Sequence, residues 1–193
     1  MICACKRRSA RRPRRDKLPP IGTLTLHLSV TAAGWSRLPA ARSVARRAGR
    51  AAFRHVGRAV RAEASVLLAD DAELRRLNRE WRGKDAATNV LAFQAVPADG
   101  AGGRGGPPVA LGDIAVALET VAREAIAQRK APCDHLAHMI VHGMLHLLGR
   151  DHRRPAEAAR MEAEESAIMV ALGLPDPWRD GESAGVTQMA GEE

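Results

Sequence analysis

The chain has 193 residues, 46% apolar but only 3% aromatic, and carries 30 Lys and Arg against 22 Asp and Glu, a formal net charge of +8. That length suits one domain with a substantial core, and no segment approaches the roughly 18 uninterrupted apolar residues that would suggest a membrane span. Three cysteines, of which Cys133 alone lies in the body of the chain, exclude a disulfide framework and suit a reducing cytoplasm.

The charge is concentrated at the beginning. Residues 1–17 hold eight basic side chains against Asp16, a net of +7, and residues 18–62 add eight arginines and no acid, a net of +8. The remainder therefore sums to −7, since the total is +8. Residues 1–20, with Cys3, Cys5, Pro13, Pro19 and Pro20 among the arginines, lack the apolar run of a signal peptide. They read as a disordered basic extension that adds salt-dependent affinity for RNA. Their acid-poor composition also fits an organelle transit peptide or an upstream start, and the sequence leaves these open.

The expected domain covers 21–175. A strand opens it, with Leu24, Leu26, Leu28 and Val30 alternating with Thr25, His27 and Ser29. A helix is predicted over about 39–60, with Val44, Ala48, Ala52, Val56 and Val60 as a weak apolar side. Its other side carries Arg42, Arg46, Arg50, Arg54 and Arg58, a slowly winding ridge of guanidinium groups with no acid to pair with. Such a ridge repels itself unless a polyanion lies along it, which points to phosphate contacts. The scarcity of aromatics argues against base-stacking platforms and leaves recognition to backbone charge and shape.

A second strand follows at 65–69, a helix from Asp71 to about Trp81 with Leu74 and Leu77 inward, and a third strand at 89–93. Residues 97–108 are rich in Pro and Gly and read as a loop before a fourth strand at 111–116. Three helices are predicted at about 117–129, 132–148 and 155–171, with Pro132 and Pro155 each suited to a first helical turn. Residues 176–193 read as a flexible tail. Strands first and helices after give an α/β (α+β) domain with a small mixed sheet of about four strands.

The second of these three helices leads into the most informative segment, His142-Gly-Met-Leu-His146-Leu-Leu-Gly149-Arg-Asp-His152. Residues four apart share a helix face with about 6 Å of rise between them, so His142 and His146 can aim two ring nitrogens at one point. Gly149 is placed to stop the helix in the left-handed conformation, and the returning chain can bring His152 to the same point. Three imidazoles with an open fourth position describe a catalytic zinc site, with one Zn2+. His135 and His138 extend the histidine series, but one ion cannot reach both ends of a run spanning about 12 Å. His138 reads as a plain helix residue, with a pocket wall or proton transfer as its functional alternatives. The flanking residues Leu136, Met139, Ile140, Val141, Leu145, Leu147 and Leu148 make this helix central. Peptidases of the HExxH kind place a glutamate after the first histidine; here Gly143 stands there, which argues against peptide hydrolysis and leaves room beside the metal.

The segment 142–152 resembles the signature H-G-x-L-H-L-x-G-x-D-H of the YbeY family of rRNA maturation endoribonucleases. Residues 77–93, LNREWRGKDAATNVLAF, are similar to the family block N-x-x-[YFW]-R-x-x-D-x-x-T-[DN]-V-L-S-F, and Leu111-Gly-Asp113-Ile114 to its L-G-D-I strand. The resemblance spans about 75–155. It implies a zincin-like metal helix and a single-strand-specific, metal-dependent endoribonuclease, active in small-subunit rRNA 3′-end maturation and ribosome quality control. It implies His142, His146 and His152 as zinc ligands, with His142 and Arg82 in the catalytic set and Arg82 holding or stabilising a phosphate. Expected partners are single-stranded RNA, rRNA and the small ribosomal subunit with its associated factors, and no membrane. Asp85 and Asp151 are candidates for orienting a ligand or water, or else for turn formation and capping. Ala92, Gln94 and Arg150 depart from the family pattern, and Arg150 is expected to add positive charge beside the metal. Alternatives are a zinc hydrolase of a non-RNA bond and a non-catalytic assembly factor with structural zinc.

Overall fold

The computed structural model describes residues 22–57, 59–96, 101–102 and 106–179. Among the described residues nine regular elements follow one another: β1 (Thr23–Val30), α1 (Ala41–Val56), β2 (Arg61–Ala69), α2 (Asp71–Arg82), β3 (Val90–Gln94), β4 (Val109–Ala117), α3 (Leu118–Ala127), α4 (Pro132–Leu147) and α5 (Pro155–Ala171), with a short 3-10 turn at Ala33–Arg37. The four strands form one sheet in the order β1-β2-β4-β3. β1 runs parallel to β2 and β2 to β4, while β3 is an antiparallel edge strand on β4. The expected single α/β domain with a small mixed sheet is what the chain forms.

The sheet's faces separate by strand parity, since successive side chains point to opposite sides. Leu24, Leu26, Ala64, Val66, Leu68, Ile114 and Val116 join the main core with α1, α4 and α5. Leu91, Ala115, Ala117 and Ala69 face the other way and close a smaller core on Leu74 of α2. Between Glu63 and Ala64 the β2–β4 register slips by one residue, which lets Gly112 take φ +126°. There the chain passes so close to β3 that a Cβ would stand 2.0 Å from the Phe93 carbonyl oxygen. Only glycine permits that approach.

α1 differs from its predicted form in extent and in its buried side. It ends at Val56, where Gly57 enters the left-handed conformation at φ +72°. Its buried residues are Ala41, Ala45, Ala48, Gly49, Ala52 and Phe53, whereas Val44 and Val56 are only partly covered and Val60 lies beyond the helix. The small residues have a purpose: a Cβ on Gly49 would lie 2.7 Å from Leu26 and 3.8 Å from Ile140, so α1 is seated directly on α4 and β1. Arg42, Arg46, Arg50 and Arg54 are exposed on the far side, and none of them pairs with an acidic side chain among the described residues. Arg58 lies outside the described residues, as do 1–21 and 180–193.

α4 is central, as expected. Every residue from His135 to Leu145 is buried, on all sides of the helix. This includes Gly143, whose missing side chain faces β4: a Cβ would lie 3.1 Å from Ile114 Cγ2. The glycine therefore serves helix-on-sheet packing, and the space it leaves is occupied by Ile114 rather than open beside the histidines.

Candidate metal centre

The histidines at the C-terminal end of α4 are positioned by how that helix stops. Leu148 caps it, Gly149 turns left-handed at φ +86°, and Arg150 N–H donates back to the Leu145 carbonyl at 2.9 Å. That six-to-one bond is the Schellman closure, which needs a residue free of Cβ strain at this position. It reverses the chain and brings His152 back over the end of its own helix. The ring centroids of His142 and His146 are 4.6 Å apart, those of His146 and His152 5.0 Å, and those of His142 and His152 5.6 Å. One ligand nitrogen from each lies within 4.8 Å of the others.

Hydrogen bonding decides which nitrogens face inward. His142 Nδ1 donates to Glu165 Oε1 at 2.8 Å, and His146 Nδ1 donates to the Arg150 carbonyl at 3.0 Å. Each proton is thus committed outward, leaving two bare Nε2 lone pairs facing each other 3.1 Å apart. Neither can donate to the other, so the pair is repulsive unless a cation lies between. Four-coordinate zinc, at about 2.0–2.1 Å from each nitrogen, spaces its ligands about 3.3–3.4 Å apart. His152 Nε2 is buried with no hydrogen-bond partner among the described residues. Two other buried imidazole nitrogens share that condition, His135 Nδ1 and His138 Nδ1, so the convergence of the three rings carries the argument rather than the orphaned atom alone. Burial first, and then the neighbouring His142 and His152, push His146 down to about 4. It is neutral near pH 7, as a metal ligand must be. The residues present fit a divalent metal ion of nitrogen preference.

His138 is not the plain helix residue expected of it. Its Nε2 donates to Glu165 Oε2 at 2.8 Å, and burial lowers its pKa. Glu165 itself is 1% exposed and lies between two histidines of α4. Burial alone would raise its pKa, but the hydrogen bonds from His138 and His142 outweigh that and hold it down to about 2. His135 turns elsewhere, to Glu124 at 2.8 Å, and Asn89, the residue before β3, donates to the same carboxylate at 3.0 Å.

Arg82, at the end of α2, reaches across the edge of the sheet. Its Nη2 donates to the Ala92 carbonyl at 3.3 Å, and its guanidinium carbon lies 5.9 Å from the centre of the Phe93 ring. The residue remains exposed by surface area, yet its head group is partly desolvated, which lowers its pKa without removing the charge. The contact uses backbone oxygen, so the missing hydroxyl at Ala92 does not affect it. Gln94, two residues on, donates to the Leu147 carbonyl at 3.4 Å and ties β3 to the end of α4. Strand and histidine cluster thereby share one end of the molecule. Trp81 stands exposed there, its ring 6.1 Å from Phe93.

Three charged neighbours of the motifs have partners in the structure, and for Asp151 the capping alternative is the one seen. Arg150 adds no free positive charge, because its Nε donates to both oxygens of Glu164 at 2.8 and 3.0 Å. Asp85 forms a bidentate pair with Arg75 at 2.7 and 2.8 Å. Asp151 caps the turn, accepting from His152 N–H at 2.8 Å. Glu165 and Trp178 carried no motif and were missed. Their link to the site is spatial, across 23 residues from His142 to Glu165.

A small mixed-sheet domain with three imidazoles converging at the end of its central helix is an α/β protein built around a candidate metal centre. Comparison with known proteins narrows the class. The family model described as Endoribonuclease YbeY matches residues 36–173, and the chain belongs to that family. A relative named Endoribonuclease YbeY from Azorhizobium caulinodans is 50% identical over 147 residues, 75% of this chain and 90% of its own. One of the same name from Bradyrhizobium diazoefficiens is 47% identical over 152 residues, 78% of this chain and 83% of its own. The solution structure of a Thermotoga maritima protein is similar at a TM-score of 0.47 and 19% identity, over 83% of this chain and 99% of that one. No helix among the described residues is long and apolar enough to cross a membrane.

Proposed function

We propose that this protein is a zinc-dependent endoribonuclease that cleaves single-stranded RNA in the cytoplasm, in small-subunit rRNA 3′-end maturation and ribosome quality control. The observation that carries the reading is the pair of bare Nε2 atoms 3.1 Å apart, with His152 beside them, in a chain of an endoribonuclease family. His142, His146 and His152 would hold the ion, and a set of three neutral nitrogens suits Zn2+ over the harder Mg2+ or Ca2+. Zinc there would supply Lewis acidity towards a phosphoryl oxygen and a water molecule.

The remaining work falls to side chains. Arg82 is held at the β3 edge by the Ala92 carbonyl and the Phe93 ring, and a guanidinium matches the geometry of a phosphate. Its partial desolvation strengthens each such contact relative to water. His142 belongs to the catalytic set as the ligand whose orientation is fixed from behind by Glu165. Trp81 offers an exposed ring beside Arg82, an amendment to the expectation that stacking would play no part. The acid-free side of α1 supplies charge for a longer RNA backbone, and the ribosomal small subunit with its associated factors is the partner that reading names.

Cleavage of single-stranded and duplex RNA by the zinc-loaded chain, alongside Arg82→Ala and His142→Ala, tests it. Wild type cleaves the single strand, Arg82→Ala loses about 100-fold or more with unchanged zinc content and melting temperature, and His142→Ala loses zinc. Full zinc occupancy without cleavage of any RNA would make the metal structural and sink the proposal.

A further inference from the structure

Among the described residues, Glu165 is the one acidic side chain that the main core encloses almost completely, at 1% exposed. A buried carboxylate is costly, and a leucine or methionine of similar size would pack there at lower cost. The fold instead surrounds it with three donors: His142 Nδ1 at 2.8 Å to Oε1, His138 Nε2 at 2.8 Å and Trp178 Nε1 at 3.0 Å, both to Oε2. The indole also stands edge-on to the His138 ring, with centroids 5.6 Å apart at 89°.

Trp178 comes from the segment after α5, past residue 173 where the family match stops. That segment is fastened at several points. Asp176 Oδ1 accepts from Ser166 Oγ at 2.7 Å and from Trp178 N–H at 3.0 Å, and Lys130 Nζ donates to the Pro177 carbonyl at 3.2 Å. The flexible tail expected from residue 176 thus begins with residues that reach into the core.

We propose that Glu165 is a positioning residue for the metal site, and that residues 174–179 act as a strap whose indole holds the Glu165 carboxylate in place. As an acceptor only, Glu165 forces the His142 proton onto Nδ1 and fixes the ring plane, so that Nε2 points at His146 and His152. Trp178 and His138 occupy the second carboxylate oxygen and stop the group from rotating away. The inference rests on the reading of His142, His146 and His152 as metal ligands.

The experiment uses the full chain and zinc alone, in two arms. Chelator competition gives zinc affinity, and imidazole 15N spectra of the metal-free protein give the His142 tautomer. Wild type binds one zinc and shows His142 protonated on Nδ1; failure to bind zinc would refute the ligand reading itself, a result distinct from the rest. Glu165→Gln weakens zinc about 10- to 100-fold, the usual effect of removing such a support. Its amide has a single oxygen, which His138 and Trp178 both claim, so its N–H faces His142 Nδ1 and drives the His142 proton onto Nε2, the atom that should bind zinc. Trp178→Phe keeps the ring edge but loses the donor, weakening zinc about two- to tenfold. Glu162→Gln, on the same helix, changes nothing. Zinc affinity and tautomer in Glu165→Gln indistinguishable from wild type overturn the positioning role; unchanged affinity in Trp178→Phe overturns the strap. Should Glu165→Gln fail to fold, the tautomer and affinity of Trp178→Phe decide the matter.

Discussion

Gly112 and Gly149 both sit at positive φ, +126° and +86°, and the structure separates what alanine should cost at each. Around Gly149 an added Cβ meets nothing closer than Gln94 Nε2 at 4.0 Å. Only the left-handed conformation is penalised, by about 1–2 kcal/mol. At Gly112 the same atom would stand 2.0 Å from the Phe93 carbonyl oxygen and 2.8 Å from Ala95 N. Relief requires β3 to move more than about 1 Å from β4, which sacrifices the bond from Ala95 N–H to the Leu111 carbonyl and the pairing of Phe93 with Asp113. Strain, clash and broken ladder bonds together exceed about 4 kcal/mol, against a total stability of roughly 5–15 kcal/mol for a domain. Denaturant unfolding of the metal-free variants, followed by circular dichroism, measures the difference. Gly149→Ala should remain folded with weakened zinc affinity, because His152 follows the turn; Gly112→Ala should be unfolded or loosely packed. Two alanine variants within about 1 kcal/mol of each other would show that the close approach of β3 to β4 does not carry the energy assigned to it.

Acid should weaken the metal-free protein in a defined window. His146 titrates at about 4 in the fold and at 6.5 when unfolded, so between those values the unfolded chain holds the extra proton and stability falls as pH falls, by up to about 1.4 kcal/mol per unit. Glu165, held down to about 2, adds a second loss as pH falls from 4.5 towards 2. Urea midpoints that stay flat from pH 6.5 to 4.5 would contradict the first part, and His146→Gln should flatten the profile there. Trp81→Ala should weaken binding of a single-stranded oligonucleotide by about 1–3 kcal/mol for one stacked base, roughly 5- to 150-fold, and leave duplex affinity unchanged; equal loss on both would remove the stacking role. Replacing Arg46, Arg50 and Arg54 by Gln should flatten the salt dependence of RNA binding, the log–log slope falling by about 0.7 for each single-strand phosphate that is no longer neutralised. An unchanged slope in filter binding would take α1 out of the interface.

Much of this was legible in residue spacing. The 142–152 segment could be read as a ligand set because its constraints are local: helical periodicity puts His142 and His146 on one face, and only a residue at ease with positive φ lets the chain return within three positions. Strand alternation in 24–30 and the Arg and Ala faces of α1 follow from the same kind of short-range geometry, although the Ala–Gly seam of α1 was obscured by its valines, which are more apolar but lie at the margin.

What lay beyond the sequence were contacts between segments far apart in the chain. Nothing about Glu165 marks it as different from Glu162 or Glu164; only the packing of α5 on α4 makes it the acceptor for two histidines and an indole. Arg150 and Asp85 looked like site residues by proximity in sequence, yet each is held by a partner that spacing does not reveal, whereas the capping by Asp151 is local and was among the readings the sequence offered. Ligand types, their spacing and the turn that gathers them were readable in residues 142–152, because these depend on backbone geometry over eleven residues. Tertiary structure alone decided which nitrogen of each ring faces inward, because that depends on where a proton finds its acceptor, and for His142 the acceptor is supplied by another helix.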